Sequence, residues 1–476
     1  MKESVRRWGL AAFVVLSVTG AGLADRFAPA SPWLPGADRP AEPGGAWACP
    51  FLKAAGSPGW LHFANFGRVA SHVRVTYLPD RKAPFVQAFD IGPGRAGTVG
   101  APAAIRSSAA GAIVEYAGGD LVVSRTAFLT ANGGTGGAAG PCGRPGAQAV
   151  VASQGATLGV ETDLILLNPG TSDAVVDVSL LFDGQELEPE SLRGRVVPAR
   201  GRLVIREGDF AFDERAVAAV VQARSGRVVA DVLLAARGLI ELVPAVGAAS
   251  ETVAIGNTAG GPLSFSAVAV GDADAVTDSR TLSGAGQGVF EPIAGGLPPN
   301  TPRLAEIPKG SFPAGPVAVA VTSSTSPVAL GARWQMIGRG GVVEQAATVA
   351  VPPAARALAV IGPPAVASEL RLLVANPAER DATISVTVVT DAGSSTPSAL
   401  QGVSLGAGEA IQLSLAGVGG TGTVGVLVTS VGARVAAAVQ AIALQPSFGA
   451  YAVTAFPDLP RSPVAVDPDP RAGVAA

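Results

Sequence analysis

Histidine, cysteine, methionine, tyrosine and lysine are nearly missing from this chain of 476 residues, which holds two, two, two, three and four of them. Both histidines, His62 and His72, stand close to its start. That leaves little for acid–base catalysis or for imidazole-ligated metal. The lysines are Lys2, Lys53, Lys82 and Lys309, so 30 of the 34 basic residues are arginine, and neither type forms a run. With a net charge of −3, this removes the basic footprint that nucleic-acid binding requires. Charged residues make up 15% and apolar ones 48%, which excludes a disordered chain. After the first 24 residues no apolar stretch is long enough to span a bilayer.

What is present is punctuation and short apolar runs. Gly (61) and Pro (38) fit many turns between short strands better than long helices. The chain is too long for one core, so several domains are expected. It opens with a positive head, Lys2, Arg6 and Arg7, followed by the uncharged run Trp8–Ala24 and then Asp25 and Arg26. This is the pattern of an export segment, either removed after Gly22-Leu23-Ala24 or kept as a membrane anchor. The remainder is then extracytoplasmic. Cys49 and Cys142 bracket the first strand-rich region, and an oxidising compartment favours a disulfide between them.

One pattern recurs. "LILLNPGTSDAVVDVSLLFD" (Leu164–Asp183) aligns without gaps with "LLVANPAERDATISVTVVTD" (Leu372–Asp391), and "VVQARSGRVVADV" later faces "VLVTSVGARVAAA". Further copies begin at Trp60 and Thr252. Asn65, Asn168, Asn257 and Asn376 mark the four copies, and Asp80, Asp183, Asp272 and Asp391 each follow 15 positions later. The asparagines lie 103, 89 and 119 residues apart, the length of an immunoglobulin-like domain and too long for a propeller blade of ~40–50 residues. Val73, Val75 and Tyr77, then Val176, Val178 and Leu180, then Ile384, Val386 and Val388 alternate as a strand with one face in a core. The unbroken "LILL" and "LLVA" instead fit strands buried on both faces. Asn-Pro ends a strand, since proline cannot donate to a ladder and asparagine bonds its own backbone, so these Asn and Asp residues are assigned to turns.

The expected fold is therefore all-β: four tandem immunoglobulin-like β-sandwich domains after an N-terminal apolar export helix. The expected boundaries are 1–24 for the signal peptide or anchor, 25–46 for a linker, 47–147, 148–247, 248–355 and 356–460 for the four sandwiches, and 461–476 for a tail.

Motifs that would carry chemistry fail on context. "GVSLG" (Gly402–Gly406) matches a nucleophile elbow, but Ser404 falls in a strand and no histidine follows it. "GVGGTG" (Gly417–Gly422) precedes a strand where a dinucleotide site needs a helix. His62 and His72 lack a third ligand, and each Asn–Asp pair is separated by a whole strand, unlike a calcium cage. No catalytic residue, metal ligand or cofactor is expected. Trp60, Tyr77 and Tyr116 gather in the first copy and are candidate ligand-binding aromatics, with sandwich core as the competing role.

The export segment, the Asn-Pro strand–turn units and the Ala/Val/Gly-rich repeats resemble a family of uncharacterised actinobacterial envelope proteins, catalogued as domain of unknown function 5719. The resemblance spans nearly the whole chain and implies a secreted or membrane-anchored protein. Asn65-Phe66 and Asn257-Thr258 depart from the Asn-Pro pattern. The reading is a non-enzymatic extracytoplasmic structural or interaction protein of the cell envelope. Its partner would be an envelope protein or cell-wall polymer, with the membrane engaged through an uncleaved N-terminal segment and no nucleic acid bound. The alternative is a carbohydrate-binding protein that uses the first-copy aromatics.

Overall fold

Many strands of this protein, such as Gly59–Asn65, Glu161–Asn168 and Glu251–Asn257, are buried on both sides, and that decides how they assemble. The computed structural model describes residues 44–457 except 55–57, 81, 103–104, 106–108, 132–133, 157–159, 183–184, 211–213, 237–238, 260, 338–342, 363–366, 419–421, 444–449 and 455. The expected export helix and tail, and residues 25–43 of the expected linker, lie outside these residues, whereas residues 44–46 of that linker are the start of the first strand. Among the described residues no helix is long and apolar enough to cross a membrane.

The first repeat has β1 (Gly44–Ala54), β2 (Gly59–Asn65), β3 (Ser71–Pro79), β4 (Phe85–Ile91), β5 (Arg95–Gly100), β6 (Ala109–Ala117), β7 (Leu121–Ala131) and β8 (Gly134–Pro141). The second has β9 (Gln148–Ala156), β10 (Glu161–Asn168), β11 (Ala174–Phe182), β12 (Gln185–Leu187), β13 (Arg195–Val197), β14 (Gly201–Arg206), β15 (Glu214–Ser225), β16 (Val229–Ala236) and β17 (Leu239–Pro244). The third has β18 (Glu251–Asn257), β19 (Leu263–Ala269), β20 (Thr277–Ser283), β21 (Gly286–Val289), β22 (Arg303–Ile307), β23 (Pro316–Ser323), β24 (Val328–Ile337) and β25 (Val343–Val349). The fourth has β26 (Arg356–Ile361), β27 (Ala367–Ala375), β28 (Ala382–Thr390), β29 (Gly393–Ser395), β30 (Val403–Leu405), β31 (Ala410–Ser414), β32 (Val424–Val431), β33 (Ala436–Ala443), β34 (Ala450–Thr454) and β35 (Phe456–Pro457).

Each repeat divides its strands between two antiparallel sheets. The opening sheets run β1-β6-β3-β4, β9-β15-β11-β12, β18-β23-β20-β21 and β26-β32-β28-β29, with β35 added beyond β26. The closing sheets run β8-β7-β2-β5, β17-β16-β10-β14, β25-β24-β19-β22 and β34-β33-β27-β31. Inside a repeat the two sheets share a core, as Trp47, Phe63, Val75 and Val114 do in the first and Leu372, Val386, Val428 and Val439 in the fourth.

The other face of each sheet is buried as well. Ala48, Leu78 and Ile113 of the first opening sheet pack on Leu167 and Val229 of the second closing sheet. Val150 and Leu181 meet Val268 and Ala329 between repeats two and three. Val253, Ile255 and Leu282 meet Leu373 and Ala375 between three and four. Leu358, Val360 and Val389 of the last repeat then meet Ala64, Ala96 and Val122 of the first. The ring closes there. The inner strands complete it, β8 beside β17, β17 beside β25, β25 beside β34 and β34 beside β8.

The eight sheets are thus the blades of an eight-bladed β-propeller. This corrects the expected four tandem immunoglobulin-like sandwiches. A string of separate sandwiches would leave Ile113, Leu167, Val268 and Leu373 in water, whereas each is at most 2% exposed. The objection from repeat length falls for the same reason, since one repeat supplies two blades.

The predicted disulfide is present. Cys49 on β1 is bonded to Cys142, just after β8, with the Cα atoms 4.7 Å apart. It ties the innermost strands of the first two blades together beside the backbone pair Ala48–Gly143.

Candidate functional site

The four marker asparagines do not all do the same thing. Asn65 and Asn168 end β2 and β10, and Asn376 directly follows β27, which are equivalent strands. In each the side-chain Oδ1 accepts from the backbone N–H two residues on, at Gly67 (2.9 Å), Gly170 (2.8 Å) and Ala378 (3.1 Å). The Nδ2 donates to the carbonyl four residues on, at Val69, Ser172 and Arg380, and to a second carbonyl on the other blade of the repeat, at Ile91, Val197 and Gly406. All three asparagines are buried, so only a side chain with both an acceptor and two donors satisfies the turn. The turn also needs room: Gly119, at φ +62°, lies against the Asn65 amide, and a Cβ there would overlap it.

Asn257 stands one strand earlier, at the end of β18 in an opening sheet. Its Oδ1 makes the same turn with Ala259, but its Nδ2 donates to Gln440 Oε1 (3.0 Å) and Gln412 Oε1 (3.2 Å) of the fourth repeat. Asp272 follows β19, whereas Asp80 and Asp391 follow β3 and β28. The third copy is therefore shifted by one strand against the others. Asp183 lies outside the described residues.

The aspartates after β3 and β28 work at the seams between repeats. Asp80 Oδ1 accepts from Arg202 Nη1 of the second repeat (2.8 Å), and the Asp391 carbonyl accepts from Arg95 of the first. Asn300 donates to Glu186 at the second seam (3.2 Å), and Ser283 pairs in parallel with Glu409 at the third. Asp173 and Asp381 are turn acceptors of a kind not singled out from sequence, each taking a backbone N–H from Ala199 (2.8 Å) or Ala407 (3.0 Å). Their shared place after the Asn-Pro turn is the signal that would have found them.

Charges buried at the seams are paired. Arg125 Nη2 donates to Asp231 Oδ2 at 2.6 Å with both side chains fully buried, and Arg125 Nη1 donates to the Pro141 carbonyl. Burial raises the Asp231 carboxyl and Arg125 opposes it. Arg333 Nε lies 2.8 Å from Glu241 Oε2, where burial again raises the carboxyl against the pull of the arginine. Arg200 Nη2 donates to the buried Glu115 (2.7 Å). These are contacts of one blade with another, with each charge met by its opposite.

The fourth seam holds His62. Its Nδ1 lies 2.9 Å from Thr98 Oγ1 and 3.3 Å from Thr423 Oγ1, and Nε2 lies 2.9 Å from Thr126 Oγ1. Burial pushes its pKa down to about 3. His72 sits on the opening sheet, exposed, 2.7 Å from Asp90 Oδ1. The two histidines are not brought together, and among the described residues no three His, Cys, Asp or Glu side chains converge as metal ligands.

The candidate aromatics are also distributed. Tyr77 is fully buried in the first core, its hydroxyl donating to Gln87 Oε1, and burial raises its pKa. Tyr116 is half-buried at the rim of that core. Trp60 points to the other face of its blade, half-buried and edge-on to Phe128 with ring centroids 5.5 Å apart. A sugar platform needs a ring face open to solvent, and Tyr77 offers none.

A slot of about 280 Å³ opens between the third and fourth repeats, walled by Ser283, the segment Pro313–Pro316, and Ala410, Ile411 and Gln412 of β31. It carries no charged residue.

Residues 100–370, more than half of the chain, match DUF5719, a family of unknown function. No curated protein matches the chain. Among solved structures, that of Thermotoga maritima 1070 is similar at 14% identity over 21% of this chain and 93% of that one, with a TM-score of 0.19. An anti-sigma factor domain-containing protein from Clostridium clariflavum is similar at 9% identity over 81% of this chain and 99% of that one, with a TM-score of 0.11. A tetra-tandem repeat from the extending region of a large adhesion protein is similar at 12% identity over 87% of this chain and 99% of that one, with a TM-score of 0.08. At such scores none of these likenesses carries an argument.

Proposed function

We propose that this chain, which belongs to the DUF5719 family of unknown function, is a non-enzymatic structural and interaction protein of the cell envelope. The supporting observation is how its polar residues are used. The buried pairs Arg125–Asp231, Arg333–Glu241 and Arg200–Glu115, together with the Asn257 amide, are committed to neighbouring repeats. The deeply buried imidazole of His62 faces threonine hydroxyls, and among the described residues no carboxylate bonds it to orient it as a base. The propeller leaves the outer strands of its blades as a rim that protein or cell-wall partners can meet.

The extracytoplasmic placement rests on the basic head and apolar run of residues 2–24 and is consistent with the Cys49–Cys142 disulfide. The test is cross-linking in intact cells that carry this chain, followed by identification of what is attached. A small set of envelope proteins or wall polymer is the expected result. Substrate turnover by the purified chain, or cross-links confined to cytoplasmic proteins, would overturn the reading.

A further inference from the structure

We propose that the outer edge of β31 is a docking site for an extended, uncharged partner segment with small side chains, bound by strand addition. The inference rests on the interaction reading above and names one site and one class of partner for it.

The backbone of β31 sets the geometry. Asn376 N–H donates to the Glu409 carbonyl and Leu415 N–H to the Leu370 carbonyl, both at 2.9 Å. These bonds flank the register pairs Ala375–Ala410 and Arg371–Ser414 and make them the widely bonded kind. By alternation, Ile411 and Leu413 spend their N–H and C=O groups on β27. Those of Gln412, midway along the strand, turn outward to an edge that carries no further strand among the described residues. An outward row of donor and acceptor is what a second extended backbone matches.

Three features set this edge apart from a plain blade rim. First, it faces the 280 Å³ slot, so an added segment would be held from two sides. Second, the far wall is held in place and offers few donors of its own. Thr258 Oγ1 lies 3.1 Å from both the Pro313 and Gly315 carbonyls, and Pro313 and Pro316 have no N–H to offer. Third, the chain already makes one such contact there, the parallel bridge of Ser283 with Glu409 immediately before β31. An incoming strand continues that pairing where Ser283 leaves it. The uncharged walls and small volume select the occupant: a charged side chain would lose its water without gaining a partner.

The probe is a capped peptide, acetyl-Ala-Thr-Ala-Thr-Ala-amide, titrated calorimetrically into the whole purified chain, with hydrogen exchange followed across residues 410–414. The expected result is saturable binding with slowed exchange there. Gln412→Pro removes the outward donor and no backbone bond to β27. Since any change at this position also removes the Gln412 acceptor of Asn257, it is compared with Gln412→Ala, against which it should weaken binding at least tenfold at a similar melting temperature. Should that variant misfold, the same peptide N-methylated at its amides tests the wild-type chain and should not bind. Absence of saturable binding to the folded chain, or binding that neither the proline nor the methylation weakens, overturns the proposal. Cross-linking in cells separates the two readings. Partners captured equally by Gln412→Pro and wild type would keep the interaction role and remove this edge. Peptide binding with no partner captured in cells would keep the edge and remove the role.

Discussion

His62 and Thr423 are 361 positions apart in sequence, yet the imidazole Nδ1 and the threonine Oγ1 lie 3.3 Å apart with both residues buried. This contact joins the first repeat to the last. Among the described residues the first and last repeats meet there through packed side chains and through Arg95, which donates to the Asp391 carbonyl.

Acid should loosen it. The folded pKa of His62 is about 3, against 6.5 for an exposed histidine. A folded value below the unfolded one means that the open or unfolded chain binds the proton first. The stabilisation is therefore complete above pH 6.5 and is lost as pH falls toward 3, by about 1.4 kcal/mol per pH unit. Thermal unfolding at pH 7 and pH 4.5 measures this. His62→Gln should flatten the dependence, and an unchanged slope would show that other groups set it.

Gly362 lies so close to the same ring that a Cβ would overlap it. Gly362→Ala should destabilise the chain by about 1–3 kcal/mol, the usual cost of overpacking. The double variant Gly362→Ala/His62→Ala should recover part of that loss. Chemical denaturation of the four proteins gives the coupling, and strict additivity would count against the contact.

Arg125→Met would leave the Asp231 carboxylate fully buried without its cation. The expected cost is about 3–5 kcal/mol. Adding Asp231→Leu should restore most of it, because an apolar pair of similar size has no charge to desolvate. In the single variant the deficit should shrink on acidification as Asp231 takes up a proton. Denaturation midpoints across pH 4–8 check both statements.

Reduction, or Cys49→Ser with Cys142→Ser, opens a loop of 93 residues. The chain-entropy account predicts a loss of about 4–5 kcal/mol. Denaturant titration with and without reductant measures it, and a loss below about 1 kcal/mol would mean that residual structure already restrains the unfolded chain.

Strand content, the fourfold repeat and the disulfide were legible because each is local or compositional. Alternation at Val176, Val178 and Leu180 requires one buried face, and Asn168-Pro169 requires a turn. Even the second buried face was written in "LILL", where Leu164 and Leu166 enter the repeat's own core while Ile165 and Leu167 face the first repeat. The third repeat misled because Asn257 makes the same local turn as Asn168 from a different strand. A short turn motif carries no information about which sheet it closes.

The sequence by itself determined that this chain is all-β, repeats four times and needs nearly every strand covered. Only the tertiary structure decided what does the covering. An apolar face has no direction and is satisfied equally by a neighbouring domain, a second chain or the far end of the same one. Here the fourth repeat reaches the first, Thr423 reaches His62, and four repeats become eight blades because closing the ring is how a single chain buries the last two faces.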